Sequence, residues 1–218
     1  MSSKICLVAA LALAAVPCFG STIFVTNFSF ETLPVGGLTF GSCGTGCAYS
    51  EASGIPGWLV TSGAQIGQFQ PGNPGNTNYF SALSDGITSA YSNIDGSVIS
   101  QTVGETVVLG AVYTLLIDIG WRFDAPFTGT ADLLINGHTY NATGTTPTRG
   151  TFGVFTASYT GTSADVGHSI TIELRSSGPQ ANFDNVRLDG SVPEPASFLL
   201  IAPALLALGL RIKRTARP

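Results

Sequence analysis

The fold is decided by the stretch Tyr113-Thr114-Leu115-Leu116-Ile117-Asp118-Ile119. Its odd-numbered residues are all apolar, and successive side chains of a β-strand point to opposite faces of a sheet. One face of this strand therefore belongs to the core. Leu116 makes part of the run apolar on both faces, which is typical of a central strand.

Other short apolar runs follow from Ser21 onward, separated by Gly, Asn, Pro and Asp, and none has helical spacing. The candidate strands are 22–26, 58–61, 64–69, 78–83, 97–103, 111–119, 130–135, 151–159, 169–175 and 183–188. Asn136-Gly137 predicts a two-residue hairpin turn, because a type I′ turn needs positive φ at both positions. So many short strands predict an all-β sandwich or barrel.

The N-terminus has the pattern of a secretory signal peptide. Lys4 is followed by an uncharged run from Ile5 to Val16 and then by Pro17-Cys18-Phe19-Gly20. Small residues at positions −3 and −1 predict cleavage before Ser21, so residues 1–20 are excluded from the fold. A lipoprotein would be cut before Cys18, but Pro17 disfavours that alternative.

The C-terminus has three parts, which are Val192-Pro193-Glu194-Pro195, an apolar run over 196–210 and a basic tail over 211–218. The two prolines restrict φ and lack backbone donors, so the first part should be extended and accessible to a processing enzyme. The apolar run has fifteen residues, fewer than the ~20 that cross a bilayer comfortably. We expect a hydrophobic helix at 196–210, with the basic tail on the cytoplasmic side.

This ending resembles the PEP-CTERM sorting signal of bacterial exported proteins, with Pro193, Glu194 and Pro195 as the family's triplet. The resemblance implies transient anchoring in the inner membrane through 196–210. A membrane exosortase would then recognise the triplet and remove the helix and tail. The protein would remain at the cell envelope, on the outer surface or in the extracellular matrix. An uncleaved anchor is the alternative.

The exported part has an acidic charge balance. Residues 21–190 contain four arginines, no lysine and twelve carboxylates, a formal charge of −8 against −4 for the whole chain. Nucleic-acid binding is disfavoured, because it requires clustered Lys and Arg. The length allows one domain, 21–190, between the two targeting segments.

Two of the four cysteines, Cys43 and Cys47, lie outside the signal peptide. They bracket Gly44-Thr45-Gly46, and the two glycines permit the tight turn that a short disulfide loop needs. In an oxidising compartment this spacing predicts a structural disulfide. Zinc is disfavoured, since only His138 and His168 could complete four ligands.

Motifs for catalysis are absent from the sequence, which has no Gly-x-Ser-x-Gly, His-Glu-x-x-His or phosphate-binding loop. A glycosidase needs two carboxylates across the scissile bond, and Asp118 and Asp124 are the nearest approach to such a pair. Asp118, however, alternates with core residues, and Asp124 begins a turn. We therefore predict no catalytic residue.

Four short motifs span the exported part, namely Asn27-Phe28-Ser29-Phe30-Glu31, Ile55-Pro56-Gly57-Trp58, Ile99-Ser100-Gln101-Thr102 and Phe183-Asp184-Asn185-Val186-Arg187-Leu188. Together they resemble galactose-binding-like domains, including carbohydrate-binding modules. The resemblance implies an antiparallel jelly-roll β-sandwich. It also implies a structural calcium held by Glu31 and Asp184. The alternative is that Glu31 caps a turn and Asp184 bonds nearby backbone.

A sugar-binding surface needs an aromatic face for the ring and polar groups for the hydroxyls. The aromatic candidates are Trp58, Trp121, Tyr79 and Tyr91, and the residues that we expect to bind the ligand are Trp121, Arg122, Tyr79 and Asn78. Trp121 is the first choice for the platform, with a packed rim tryptophan as the alternative. We expect a non-catalytic envelope or matrix protein that contacts exopolysaccharide. The alternatives are a structural matrix component without a defined ligand and a glycan hydrolase.

Overall fold

The structure of the protein is a computed structural model that describes residues 20–51, 54–61, 65–72 and 79–192. Several predicted features lie outside these ranges. They are residues 1–19 of the signal peptide, Asn78, the triplet Pro193, Glu194 and Pro195, the hydrophobic segment 196–210 and the basic tail 211–218. Within the described ranges, no helix has the length and hydropathy needed to span a bilayer.

Thirteen short strands make up the described part of the chain. They are β1 (Gly20–Ile23), β2 (Ala48–Tyr49), β3 (Leu59–Val60), β4 (Ile66–Gln70), β5 (Ser89–Ser92), β6 (Val98–Thr106), β7 (Val112–Trp121), β8 (Gly129–Ile135), β9 (His138–Asn141), β10 (Thr143–Gly144), β11 (Thr151–Thr160), β12 (Ser169–Ser176) and β13 (Ala181–Ser191). Gly20, the last residue of the predicted signal peptide, is the first residue of β1.

The strands form two antiparallel sheets. The larger sheet has the order β10-β11-β7-β13-β5-β4-β2, with β1 also paired to β13, and the smaller has the order β3-β6-β12-β8-β9. The chain crosses between the sheets at each step of β6-β7-β8 and again of β11-β12-β13. These crossings are those of a jelly roll, so the predicted all-β, antiparallel jelly-roll sandwich is confirmed.

The core lies between the inner faces of the two sheets. Leu115, Ile117 and Ile119 of β7 are fully buried and belong to one apolar cluster with Ile172 and Leu174 of β12. This cluster extends through both sheets and holds Gly20–Val192 in one compact unit. The alternation in the sequence of β7 therefore assigned its core face correctly, and β7 is central between β11 and β13.

The predicted hairpin is also confirmed, with φ of 50° at Asn136 and 77° at Gly137 between β8 and β9. The predicted strand over 78–83 is wrong for its described residues. Residues 79–83 are irregular, and Ser81 donates from N and Oγ to the Gly150 carbonyl. Phe80 packs against Phe152, so this segment is used to cover the outer face of the larger sheet.

Candidate functional site

A cleft of about 280 Å³ opens on the outer face of the larger sheet. Four aromatic rings line it, together with hydroxyl, amide, carboxylate and guanidinium groups. The lining residues are Ser42, Cys43, Tyr49, Glu51, Phe69, Tyr79, Tyr91, Asn93, Arg122 and Gln180.

Strand register brings the aromatic residues together. Tyr49 of β2 is directly opposite Phe69 of β4, and Tyr91 of β5 is directly opposite Gly67 of β4. The Phe69 ring lies edge-on to the Tyr79 and Tyr91 rings, with centroids 5.4 and 6.1 Å away. Because Gly67 has no side chain, Ser50 can pass directly over it, and the Tyr91 hydroxyl donates to the Ser50 carbonyl at 2.9 Å. Burial, with the nearby Glu51 carboxylate, raises the pKa of Tyr91, so its hydroxyl stays protonated.

Arg122 is the cation among the residues that line the cleft. Its Nε and Nη2 donate to the two carboxylate oxygens of Asp124 at 2.8 and 2.7 Å, and its Nη1 donates to Gln180. Its guanidinium carbon lies 4.1 Å from the centroid of Tyr79 and 5.2 Å from that of Phe69. The Arg122 hydrogen bonds hold the pKa of Asp124 below its usual value. The Asp124 carboxylate thus balances the charge of Arg122. The hydrogen bonds to Asp124 and Gln180 fix the guanidinium against the Tyr79 ring.

A disulfide-bonded loop contributes Cys43 to the lining of the cleft. Cys43 and Cys47 are bonded, with Cα atoms 5.6 Å apart, as the sequence predicts. The Tyr79 hydroxyl donates to the Cys43 carbonyl at 2.7 Å, and Gln70 Nε2 donates to the Gly46 carbonyl at 3.1 Å. The short loop is therefore fastened to residues of the cleft.

Of the four candidate ligand-binding residues, the cleft brings together Tyr79 and Arg122. Trp121 is the last residue of β7 and Arg122 follows it, and the two adjacent side chains point to opposite faces of the larger sheet. The Trp121 ring packs on Phe127, and its Nε1 donates to the Ala125 carbonyl at 2.9 Å. Asn78 lies outside the described residues.

Other cleft residues were missed by the sequence reasoning, namely Ser42, Tyr49, Glu51, Phe69, Asn93 and Gln180. Tyr49 and Phe69 each lie in short strands, where an aromatic residue reads equally well as core. Only the pairing of β2 with β4 shows that both face the cleft.

Three carboxylates hold the loop of residues 84–88. Glu31 Oε1 accepts from the backbone N–H of Ile87 at 2.9 Å and of Thr88 at 2.7 Å. Asp184 Oδ2 accepts from Asp85 N at 2.9 Å, and Asp118 Oδ2 accepts from Ser84 Oγ. Glu31 and Asp184 thus both accept backbone N–H groups of this loop.

Asp184 and Asp118 are directly opposite each other on β13 and β7, and both are buried. Burial is the main cause that raises the pKa of Asp184 to about 7, with the charges of Asp85 and Asp118 adding to it. Asp118 Oδ1 has no hydrogen-bond partner. Neither residue lines the cleft. In the described part of the chain, no group of three or more His, Cys, Asp or Glu side chains is arranged to hold a metal ion unaided.

Comparison with known families places this β-sandwich in one of them. A family model described as HpiC1 cyclase matches residues 21–189. The chain belongs to the HpiC1-like family. The HpiC1-like match covers nearly the whole of the domain predicted at 21–190. A search of curated protein sequences found no match.

Solved structures similar to this HpiC1-like chain include carbohydrate-binding modules. The CBM22-1 xylan-binding domain of Xyn10C from Paenibacillus barcinonensis is 12% identical, with a TM-score of 0.49, over 82% of this chain and 99% of that one. A CBM4 structure is 17% identical, with a TM-score of 0.41, over 77% of this chain and 99% of that one. CBM35 of Abf62 from Cellvibrio japonicus is 17% identical, with a TM-score of 0.35, over 63% of this chain and 94% of that one.

Proposed function

We propose that the protein is an exported, non-catalytic envelope or matrix protein that binds a hydroxyl-rich polysaccharide in the cleft. The cleft is the observation that carries this proposal. Tyr49 and Tyr79 are half-buried and offer aromatic surface to the apolar side of a sugar ring, with the buried Phe69 and Tyr91 packed beneath them. Asn93 and Gln180 offer amides to its hydroxyls. Exopolysaccharide of the matrix is the proposed partner.

The test is binding of the secreted domain, residues 21–192, to a broad polysaccharide array. We expect selective binding, and we expect Tyr79→Ala to weaken it at least about tenfold, because the change removes one ring and uncovers Arg122. Phe24→Ala is the matched control, since Phe24 is exposed and does not line the cleft. A blank array from a folded domain would instead favour a structural matrix component, and an equal loss in both variants would remove the cleft from the proposal.

Sorting through Pro193, Glu194 and Pro195 is the second part of the proposal, and it is supported by the sequence alone. An exosortase-type enzyme would remove residues 196–218 after transient anchoring. The mass of the protein purified from its own host should then correspond to a chain whose last residue lies within or just after the triplet. A mass that corresponds to a chain ending at Pro218 would contradict the processing step and leave an uncleaved anchor.

Calcium binding by Glu31 and Asp184 is a further part of the proposal. Carboxylate oxygens suit calcium, and the unpartnered, buried Asp118 Oδ1 beside Asp184 fits a cation. Backbone carbonyls or water would have to complete the coordination, since the described residues offer no carboxylate group of three. Bound calcium would hold the loop of residues 84–88 against the sheet.

We expect calcium to raise the melting temperature of the domain by several degrees over its value in chelator, because an ion that binds only the folded state stabilises it. Glu31→Gln should reduce that rise. As a control, Glu105→Gln changes an exposed carboxylate elsewhere and should leave the rise unchanged. Equal melting temperatures in calcium and in chelator would contradict the metal site.

A cyclase is the second candidate, and the family match favours it. Such an activity would use the same cleft, where the tyrosine hydroxyls and the Glu51 carboxyl group are able to donate a proton. Glu51 is the acid to test, because it is the single carboxyl group among the lining residues of the cleft. A cyclisation activity abolished by Glu51→Gln, without a change in the melting temperature, would replace the non-catalytic proposal.

A further inference from the structure

Two loops meet at one end of the sandwich, residues 107–111 before β7 and residues 161–168 before β12. Gly110 N donates to the Gly161 carbonyl at 2.8 Å, and Gly167 N donates to the Val107 carbonyl at 2.9 Å. The Tyr113 hydroxyl also accepts from Val108 N at 2.9 Å. The loops therefore form one joined surface.

Aliphatic side chains project from this surface into solvent. Val108 is 45% exposed, Leu109 61% and Val166 53%. The loop that bears Val166 is fixed from below by the buried Asp165, whose carboxylate accepts from Tyr159, Thr162 and Asn136. Because these hydrogen bonds fix the loop backbone, the exposed side chains are held in defined positions at the surface. We call Val108, Leu109 and Val166 the apolar tip.

The last strand ends beside the apolar tip. Ser191 of β13 is directly opposite both Val112, which follows the first loop, and Gly20. Val192 comes next and is 51% exposed. In the sequence only Pro193, Glu194 and Pro195 separate Val192 from the apolar run 196–210. Four extended residues reach at most about 14 Å, so the apolar run must begin within that distance of Val192.

We propose that the apolar tip contacts the surface of the lipid bilayer that holds segment 196–210 before the chain is cleaved. This inference rests on the membrane anchoring proposed above. The short connection to segment 196–210 places the bilayer at this end of the sandwich. Transfer of the aliphatic side chains from water to the bilayer is favourable in free energy.

Charge supports an apolar contact with lipid. Residues 107–111 and 161–168 contain no Lys or Arg, and their single carboxylate, Asp165, is buried and hydrogen-bonded. The exposed His168 is the other ionisable group of the two loops. Without Lys or Arg, anionic headgroups offer little added attraction. The contact would hold the domain upright over the membrane and keep the Pro193 to Pro195 triplet at the bilayer surface, where a membrane enzyme acts.

Photo-crosslinking in the full-length chain tests the proposal. The chain would be reconstituted into phosphatidylcholine vesicles, with p-benzoylphenylalanine in place of Leu109 or, as the matched control, of Leu59. Leu59 is 69% exposed but lies on the edge strand β3 of the smaller sheet, opposite Ser100. We expect lipid adducts at position 109 to exceed those at position 59 at least about fivefold, and to change less than twofold when anionic lipid is added.

A second pair of samples tests the apolar character of the contact. With the photo-crosslinker at position 166, Leu109→Asp should lower the yield of lipid adducts at least about threefold, since a carboxylate resists entry into the headgroup region. Leu59→Asp should leave that yield unchanged.

The other outcomes contradict either the lipid contact or the membrane anchoring. Equal adducts at positions 109 and 59 in a chain that floats with the vesicles would overturn the lipid contact alone. Adducts to a second copy of the chain would make the apolar tip a self-association surface instead. A chain that does not float would overturn the anchoring together with the lipid contact, whereas polysaccharide binding is measured separately on the secreted domain.

Discussion

Arg122→Ala is expected to weaken polysaccharide binding by at least about tenfold and to destabilise the domain by about 1–3 kcal/mol. The guanidinium is buried among Asp124, Gln180, Tyr79 and Phe69. Its removal leaves Gln180 without this donor and opens space beneath the Tyr79 ring. Asp124 is partly solvated, so the loss of that ion pair contributes only part of the destabilisation.

Geometry matters more than charge at this position. Arg122→Lys keeps the cation but cannot make the paired bonds to both oxygens of Asp124, so we expect intermediate binding and stability. Arg149→Ala is the control for loss of an arginine that stacks on an aromatic ring, because Arg149 is exposed and lies over Trp121, outside the cleft. Titration calorimetry and thermal melting measure both effects. Wild-type affinity in a folded Arg122→Ala domain would show that the polysaccharide binds elsewhere.

The sequence allowed the sandwich to be predicted because its signals are local. The alternation over 113–119 gave the core face of β7, and Asn136-Gly137 gave the β8–β9 hairpin, both of which depend on neighbouring residues alone. The segment 79–83 has equally strong apolar character. Its rings pack on the outer face of the larger sheet, and no local pattern distinguishes that use from a strand.

The cleft was only half predictable for a related reason. Tyr79 and Arg122 were chosen for their chemistry, and they meet because Phe123 N donates to the Tyr79 carbonyl, a long-range contact that no spacing shows. Trp121 is the preferred platform because it lies next to Arg122 at the end of a strand, yet adjacent side chains there point to opposite faces. The rest of the site is formed by contacts between residues far apart in the sequence. Tyr49 lies opposite Phe69, and Gln180 is bonded to Arg122.

Gly67→Ala is expected to cost at least about 2 kcal/mol and to lower the melting temperature by roughly 4–8 °C. A β-carbon at position 67 would lie 2.2 Å from the Ser50 carbonyl oxygen and 2.7 Å from Ser50 Oγ. Both contacts are below any tolerated distance, and one of them is to backbone. The Ser50 backbone must therefore move away from β4.

That displacement would reach the cleft directly, because the Ser50 carbonyl accepts the Tyr91 hydroxyl and Ser50 lies between Tyr49 and Glu51. We therefore expect Gly67→Ala to lose polysaccharide affinity along with stability. Gly104→Ala is the matched control, since Gly104 is also a strand glycine but has no atom within 4 Å of its added β-carbon. It should be neutral or slightly stabilising, because alanine restricts the unfolded chain. Equal melting temperatures of the two variants would contradict the close approach of Ser50 to β4.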